Sequence, residues 1–336
     1  MEVIGLENNA KWDKIVCDTG NYDFYHLSAY HALDNSGKPF LLHYSKNGRS
    51  CAFPIIVRDI DNTGYKDVTS VYGYAGAVAK SADLDSAFLA GFRKELKSFF
   101  SSENIVSAFS RLHPLLAIND CILDGLGIIK KENLTVGIDL KTSEEEQLHH
   151  YTHSVKQALV LLKKENVSVK IAENIDEIKE FARIYTQNML RVSASQNYFF
   201  SESYFIRFLA TIPSFLLLAI KDGEIIAGSL NSQCNGIIQT HLAATKTGFL
   251  DISPLKLIWH KVREYGMVRD MHYVHYGGGL SGKNDTLFQF KAHFSDLRFR
   301  FKTWRYIHNK KAYKELNFTK FGNNIPKNSF FPIYRI

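Results

Sequence analysis

Residues 273–294, YVHYGGGLSGKNDTLFQFKAHF, decide how the rest of the chain is interpreted. The first four residues alternate like a short strand, three glycines follow, and the stretch from Asp285 predicts the start of a helix. Three consecutive glycines are costly unless the backbone bends sharply or closely approaches a partner. Asp285 is a candidate N-cap, so free backbone N–H groups would lie beside the glycines. The pattern predicts a ligand-binding strand-to-helix turn or, alternatively, a tight connection without a ligand.

Length and composition favour two globular α/β domains. The 336 residues suit two domains better than one, and a hydrophobic share of 45% argues against long disorder. The four cysteines form no CxxC pair, so we expect reduced core residues and a cytoplasmic location. The acidic first nine residues lack the apolar stretch of a signal peptide, and the most apolar run, residues 215–220, is too short to cross a bilayer.

The two halves repeat the same order of predicted elements. Residues 40–57 predict a hairpin with a turn at Asn47-Gly48, and residues 215–231 predict another with a turn at Asp222-Gly223. Further elements are a strand pair over 67–78, strands over 105–112, 133–140 and 236–246, and helices over 84–100 and 176–191. The weak repeat predicts a duplicated α/β unit.

Charge is distributed unevenly along the chain. The net charge of +7 divides into −3 for residues 1–140 and +10 for residues 141–336, and residues 282–336 alone carry +9. A basic excess beside the glycine segment favours attraction to a phosphorylated substrate, tRNA or an anionic membrane surface. The alternative is a solvated basic tail.

Three segments resemble parts of the second acyltransferase domain of Fem-type peptidoglycan-bridge transferases. The glycine segment with its Asp-x-Leu-Phe-x-Phe-Lys continuation resembles the end of that domain. Residues 185–205, YTQNMLRVSASQNYFFSESYF, resemble its Met-x-Arg and Tyr-Phe segment, and residues 251–266, DISPLKLIWHKVREYG, resemble the helix before the glycine strand. Together they cover about 110 residues.

The resemblance implies two GNAT-like domains in tandem, each a mixed, mostly antiparallel sheet flanked by helices. Residues 1–140 would form the acceptor-side domain, and residues 141–336 the donor-side domain with a basic tail. In the first half, Arg111-Leu112-His113-Pro114 resembles the polar-x-Asp-Pro corner of Fem-like first domains, with His113 where an acid is common.

The resemblance also implies a donor site at the start of a helix. In a GNAT domain the donor's pyrophosphate lies at the N-terminus of the helix after the central strand, where free N–H groups favour an anion. Here Ser253 is the candidate N-cap, Pro254 follows, and Lys246 and Lys256 flank the position. The Q/R-x-x-G-x-G/A loop of typical GNAT enzymes is absent, so a purely structural cap is the alternative. The other candidate donor-binding residues are Gly277, Gly278 and Gly279.

Three residues near the glycines are candidate catalytic groups. Lys291 or the glycine N–H groups would stabilise the oxyanion of a tetrahedral intermediate. His275 or Asp285 would be the general base, unless the amine arrives neutral and needs none. The alternative for His275 is a hydrogen-bonded strand histidine.

Candidate acceptor-binding residues come from both halves. Two arginines would suit the phosphates of a sugar nucleotide through bidentate contacts. The set is Tyr72, Tyr74, Arg111, Arg191, Tyr198 and Tyr276. No metal site is predicted, because His149 and His153 share a helix face without the carboxylate of an HExxH motif.

The implied activity is transfer of an acyl group from an acyl-CoA-type donor to an amine, or less readily a hydroxyl, of a cell-envelope or nucleotide-linked sugar precursor. No tightly bound cofactor and no DNA partner are expected. Aminoacyl-tRNA is the alternative donor, and it ranks second because the chain lacks the long helical arm usual in Fem-type enzymes that use tRNA. A nucleic-acid-binding module and an inactive partner protein are further hypotheses, and peripheral membrane contact is compatible with the basic tail.

Overall fold

The computed structural model describes residues 1–116, 118–280, 284–326 and 330–336. The chain divides into two compact units. Unit 1 comprises Met1–Glu132 together with Arg300–Ile336, and unit 2 comprises Asn133–Phe299.

Helices and strands alternate along both units. The helices are α1 (Asn9–Asp18), α2 (Ser28–His31), α3 (Ser86–Ser102), α4 (Ile118–Leu123), α5 (Glu144–His149), α6 (His153–Lys164), α7 (Ile175–Arg191), α8 (Glu202–Thr211), α9 (Leu255–Val268), α10 (Thr286–Ala292) and α11 (Lys310–Phe321). The strands are β1 (Glu2–Ile4), β2 (Lys38–Lys46), β3 (Arg49–Asp59), β4 (Lys66–Thr69), β5 (Val78–Ala79), β6 (Ile105–Leu112), β7 (Ile128–Asp139), β8 (Ser168–Ile171), β9 (Ser214–Lys221), β10 (Glu224–Cys234), β11 (Ile237–Thr245), β12 (Tyr273–Gly277) and β13 (Arg298–Ile307).

The sheet of unit 1 has the order β1-β2-β3-β4-β6-β13, with β5 paired to β3. The β4–β6 pair is parallel, whereas the other neighbours are antiparallel. The β2–β3 hairpin turns at Asn47 and Gly48, with φ of 53° and 76°, as a two-residue turn that matches strand twist requires. The predicted hairpin is therefore confirmed.

The C-terminal segment belongs to unit 1, which differs from the predicted division of the chain. The prediction placed residues 141–336 in one domain, but β13 pairs with β6 through residues 302–307. Trp304 is fully buried in the unit 1 core beside Phe53. A basic, alternating strand therefore returns to the first unit, and its buried aromatic face is the physical reason.

The sheet of unit 2 has the order β7-β12-β11-β10-β9-β8. Here β11 and β12 are parallel, and the other neighbours are antiparallel. Helix α9 connects the parallel pair and buries Ile258, Trp259 and Val262 in the core. Each unit thus contains one parallel pair in a mostly antiparallel sheet, which confirms the predicted fold class and the repeat of elements.

The predicted strand pair over residues 67–78 is wrong in its central part. β4 ends at Thr69, β5 covers only Val78–Ala79, and both pair with β3. Between them Gly73 and Gly76 have φ of 119° and 113°, which lies outside the strand region and favours glycine. Tyr72 and Tyr74 therefore lie in a loop of unit 1.

Candidate functional site

The sheet of unit 2 opens between its two parallel strands. β11 and β12 pair only where residues 237–239 meet residues 273–275. Beyond this point β11 continues along β10 as far as Thr245, and β12 continues along β7 as far as Gly277. Because the two strands run in the same direction, their unpaired ends flank one opening at the same edge of the sheet. We call this opening the strand gap.

Backbone irregularities lie on both sides of the strand gap. On β11 the register with β10 shifts so that Asn231 faces Thr240 and Leu230 faces Leu242, which leaves His241 as the extra residue. On β12 the register with β7 shifts between His275 and Gly277. Bulges of this kind redirect side chains and are frequent next to active sites.

The glycine segment forms one wall of the strand gap. Gly277 has φ of 75°, so the predicted bend is confirmed. A Cβ on Gly278 would lie 3.1 Å from the carbonyl oxygen of Leu134, a tighter contact than side chains normally make. Of the following polar loop, residues 281–283 lie outside the described residues. Binding of a donor by Gly277, Gly278 and Gly279 stays a prediction.

Lys291 reaches back from α10 to this glycine wall. Its Nζ donates a hydrogen bond to the carbonyl oxygen of Gly278 at 2.5 Å. Burial lowers the pKa of Lys291 from 10.5 to about 8, against the opposing effect of the Asp285 carboxylate. A lysine with this pKa changes charge close to neutral pH, as functional lysines in desolvated sites do.

Asp285 is the N-cap of α10. One carboxylate oxygen accepts from the N–H of Phe288 at 2.9 Å, and the other accepts from the N–H of Leu280 at 2.7 Å. The predicted cap is therefore confirmed. Asp285 therefore holds both the first turn of α10 and the end of the glycine segment. In this way it fixes the position of α10, which carries Lys291.

His275 is fully buried, with a partner for each ring nitrogen. Nδ1 lies 2.5 Å from Oε1 of Gln239, and Nε2 lies 2.8 Å from Oγ1 of Thr135. This is the hydrogen-bonded strand histidine that the sequence left as the alternative. The arrangement favours a structural role, which ties β12 to both of its neighbouring strands.

The Tyr276 side chain lies in the core of unit 2. Its ring stacks on that of Trp259 at 4.6 Å, and only 1% of the residue is exposed. Burial raises the pKa of its hydroxyl well above 10. Tyr276 therefore packs beneath the site and presents no surface to an acceptor in this conformation.

The start of α9 differs from the predicted cap. Pro254, rather than Ser253, is the N-cap residue, and among the described residues no side chain caps the helix. Ser253 has φ of 52°, and its hydroxyl donates to the carbonyl oxygen of Leu250 at 3.4 Å. The N–H groups of Lys256 and Leu257 already bond to the carbonyl oxygens of Ser253 and Pro254. The predicted Ser253 cap is wrong because a capping residue needs an extended backbone, whereas the φ of Ser253 is left-handed.

The two lysines that flank this helix start already have partners. Lys246 forms an ion pair with Glu224. Lys256 is buried, and its Nζ donates to Oγ of Ser154 at 2.6 Å and to the carbonyl oxygen of Ser154 at 3.1 Å. Burial lowers the pKa of Lys256. Both ammonium groups would have to exchange these contacts to bind a pyrophosphate.

The opposite wall of the strand gap contains a pair that the sequence analysis missed. His241, the extra residue in β11, lies with Nε2 2.7 Å from the hydroxyl of Tyr204 on α8. Its ring stacks on Phe208 at 5.0 Å, and burial lowers its pKa to about 3. His241 is therefore neutral and shares a hydrogen bond with the Tyr204 hydroxyl. The alternation of β11 gave no signal for this pair, because the bulge alone turns His241 toward α8.

The remaining predicted acceptor residues lie in both units. In unit 2, Arg191 is exposed at the end of α7 and donates to Oδ1 of Asn188 at 2.5 Å, and the carbonyl oxygen of Tyr198 accepts from Tyr185 at 2.9 Å. In unit 1, Tyr72 and Tyr74 lie in the loop between β4 and β5, and Arg111 lies on β6. Their binding of an acceptor stays a prediction.

No family model and no curated protein matches the sequence. Among solved structures, FemX aligns over 94% of this chain and 99% of its own, with a TM-score of 0.73 and 13% identity. The chain therefore has the Fem-type fold. The C-terminal domain of a putative lysylphosphatidylglycerol synthetase from Agrobacterium fabrum shares this fold, with a TM-score of 0.56 and 15% identity over 88% of this chain and 92% of that domain.

A tandem GNAT protein from the clavulanic acid biosynthesis pathway is also similar. It gives a TM-score of 0.50 and 10% identity over 90% of this chain and 98% of its own. The tandem GNAT-like fold that the resemblance to Fem-type transferases implied is thus confirmed. Within the described residues, no helix is long and apolar enough to cross a membrane.

Proposed function

We propose that this chain is an acyltransferase that moves an aminoacyl group from an activated donor to an amine of a cell-envelope precursor. The observation that carries the proposal is the strand gap of unit 2, with Lys291 at one wall and the Tyr204–His241 pair at the other. The Fem-type fold supports the class of reaction, since FemX and the lysylphosphatidylglycerol synthetase domain share it.

The chemistry is attack of a neutral amine on the acyl carbonyl carbon. A new C–N bond forms, the carbonyl becomes an oxyanion, and the C–O bond to the donor then breaks. Lys291 stabilises the oxyanion as an ammonium group in a desolvated position, where a fixed charge acts more strongly than in water. The attacking nitrogen loses its surplus proton to the departing oxygen, so no further co-reactant is needed.

Two features favour an aminoacyl ester over an acyl-CoA as the donor. At the start of α9, where a coenzyme A pyrophosphate would bind, the N–H groups of Lys256 and Leu257 are bonded to the carbonyl oxygens of Ser253 and Pro254. The flanking Lys246 and Lys256 are bonded to Glu224 and Ser154. We therefore rank the aminoacyl ester before acyl-CoA, although the sequence suggested the opposite order. Acyl-CoA remains the second candidate, because the tandem GNAT protein of similar fold is described in relation to acetyl-CoA.

The test is a transfer assay with two labelled donors. The purified protein is incubated with a mixture of aminoacyl-tRNAs or with acetyl-CoA, and with nucleotide-linked sugar peptides that carry a free amine. We expect label to reach the amine from aminoacyl-tRNA, and Lys291→Met to slow that transfer roughly a hundredfold or more. Transfer from acetyl-CoA alone would establish the second candidate. Absence of transfer from both donors, or an unchanged rate in Lys291→Met, would overturn the proposal.

A further inference from the structure

A buried carboxylate–imidazole pair lies in the core of unit 1. Oδ2 of Asp23 is 3.0 Å from Nε2 of His113, and neither side chain is exposed to solvent. The remaining polar atoms are also occupied: Oδ1 of Asp23 accepts from the N–H of Phe24 at 2.7 Å, and Nδ1 of His113 accepts from the N–H of Leu115 at 3.2 Å. These contacts fix His113 as the tautomer that donates from Nε2.

His113 is in turn bonded to the loop that carries the tyrosines. Its backbone N–H donates to the carbonyl oxygen of Ala75 at 3.1 Å, and the N–H of Ala75 donates to the carbonyl oxygen of Arg111 at 2.8 Å. The ring of Tyr74 packs edge-on against that of His113, with 6.1 Å between centroids. A movement of His113 would therefore move the loop and Tyr74 with it.

The segment that contains Asp23 holds the same loop from the other side. The hydroxyl of Tyr30 donates to the carbonyl oxygen of Tyr72 at 2.7 Å. Gly73 passes so close to Tyr25 that a Cβ would lie 2.0 Å from the ring. The Asp23–His113 bond joins the two segments that contact residues 72–76 from either side. Tyr72 itself is 38% exposed.

We propose that Asp23 and His113 are positioning residues that hold the Tyr72–Tyr74 loop in the conformation that binds the acceptor. This inference rests on the proposed function and on the prediction that Tyr72 and Tyr74 contact the acceptor. The pair acts through the loop and touches no reacting atom. A buried, fully hydrogen-bonded pair is suited to this task because any rearrangement leaves a polar group without a partner.

Asp23→Asn takes one hydrogen bond from this cluster with a minimal change of shape. If the asparagine NH2 faces His113, Nε2 must become the acceptor. The imidazole proton then lies on Nδ1, where it opposes the N–H of Leu115. If the asparagine NH2 faces Phe24 instead, it opposes the backbone N–H of Phe24. One bond is lost in either orientation. Asp296→Asn is the matched control, because Asp296 forms an exposed pair with His150 at 3.1 Å.

Two measurements test the inference independently of each other. Hydrogen exchange of the amides in residues 72–76 should accelerate roughly tenfold or more in Asp23→Asn and stay unchanged in Asp296→Asn. In the transfer assay, the KM for the acceptor should rise roughly tenfold or more in Asp23→Asn, with kcat and the donor KM close to those of the wild type.

Unchanged exchange in residues 72–76 would overturn the inference, and so would accelerated exchange with an unchanged acceptor KM. A lower melting temperature alone would identify a merely structural pair and count against it. If the wild-type protein transfers nothing, the proposed function fails, and the exchange measurement still decides whether the pair holds the loop.

Discussion

The catalytic role proposed for Lys291 comes with a cost in stability. Its pKa of about 8 in the folded protein lies below the ordinary 10.5, so folding disfavours the ammonium form. Below pH 8 the group is charged in both states and the penalty is complete, and it disappears as the pH rises toward 10.5. Lys291→Met should therefore raise the free energy of unfolding at pH 7 by up to about 3 kcal/mol. The same variant should slow transfer roughly a hundredfold or more. Urea denaturation and the transfer assay measure the two effects.

Lys291→Arg is the control that separates charge from proton transfer. It keeps a positive charge that does not titrate near neutral pH, so partial transfer should persist without an alkaline decline. A variant Lys291→Met that is less stable than the wild type would contradict the desolvation argument. The sequence could predict Lys291 as a candidate because a lysine follows the glycines at fixed spacing. It could not predict the lowered pKa, which depends on the backbone that surrounds the ammonium.

At the scale of elements, α10 owes its position to Asp285. Asp285→Ala removes two hydrogen bonds, to Phe288 and Leu280, and should lower the free energy of unfolding by about 1–2 kcal/mol. The rate of transfer should also fall, because α10 no longer holds Lys291 in a fixed position. Asp285→Asn keeps a capping oxygen and should retain most of the activity. If Asp285 were instead the general base, Asp285→Asn would be as inactive as Asp285→Ala, and a comparison of kcat between the two variants decides the matter.

Local signals predicted some elements better than others. The Asn47-Gly48 turn and the Asp285 cap follow from residue preferences that act over a few positions, so the sequence contained them. Ser253 failed as a cap because its φ of 52° depends on how the preceding loop closes. The Tyr204–His241 pair was not predictable either, because it arises from one extra residue in β11 and the packing of α8 on that face.

At the scale of the whole molecule, periodicity predicted two similar units but not where the chain divides. The alternating pattern of β13 is equally compatible with a last strand in either half of the chain. Only the pairing of residues 302–307 with β6 and the burial of Trp304 assign the strand from Arg300 onward to unit 1. Long-range pairing of this kind leaves no local trace, whereas the duplicated order of hairpin, strand and helix does.

Buried histidines in both units should make the protein sensitive to mild acid. Burial lowers the pKa values of His26 and His31 in unit 1, and of His241 in unit 2, to about 3. Above pH 6.5 these groups are neutral in both states, so they do not affect stability. Below pH 6.5 the unfolded chain binds protons that the folded chain does not, and stability falls as the pH decreases toward 3. At pH 5 each histidine should cost about 2 kcal/mol.

Urea denaturation at pH 7.5 and pH 5.0 measures this loss in a range where most carboxylates stay ionised. His31 is the residue to replace, because it is fully buried and its Nδ1 has no hydrogen-bond partner within the part of the chain that the structure describes. His31→Phe should reduce the loss between the two pH values, whereas His149→Phe, at an exposed position, should leave it unchanged. An equal loss in the wild type and His31→Phe would show that His31 takes up its proton without unfolding, and the acid sensitivity would then have to come from other groups.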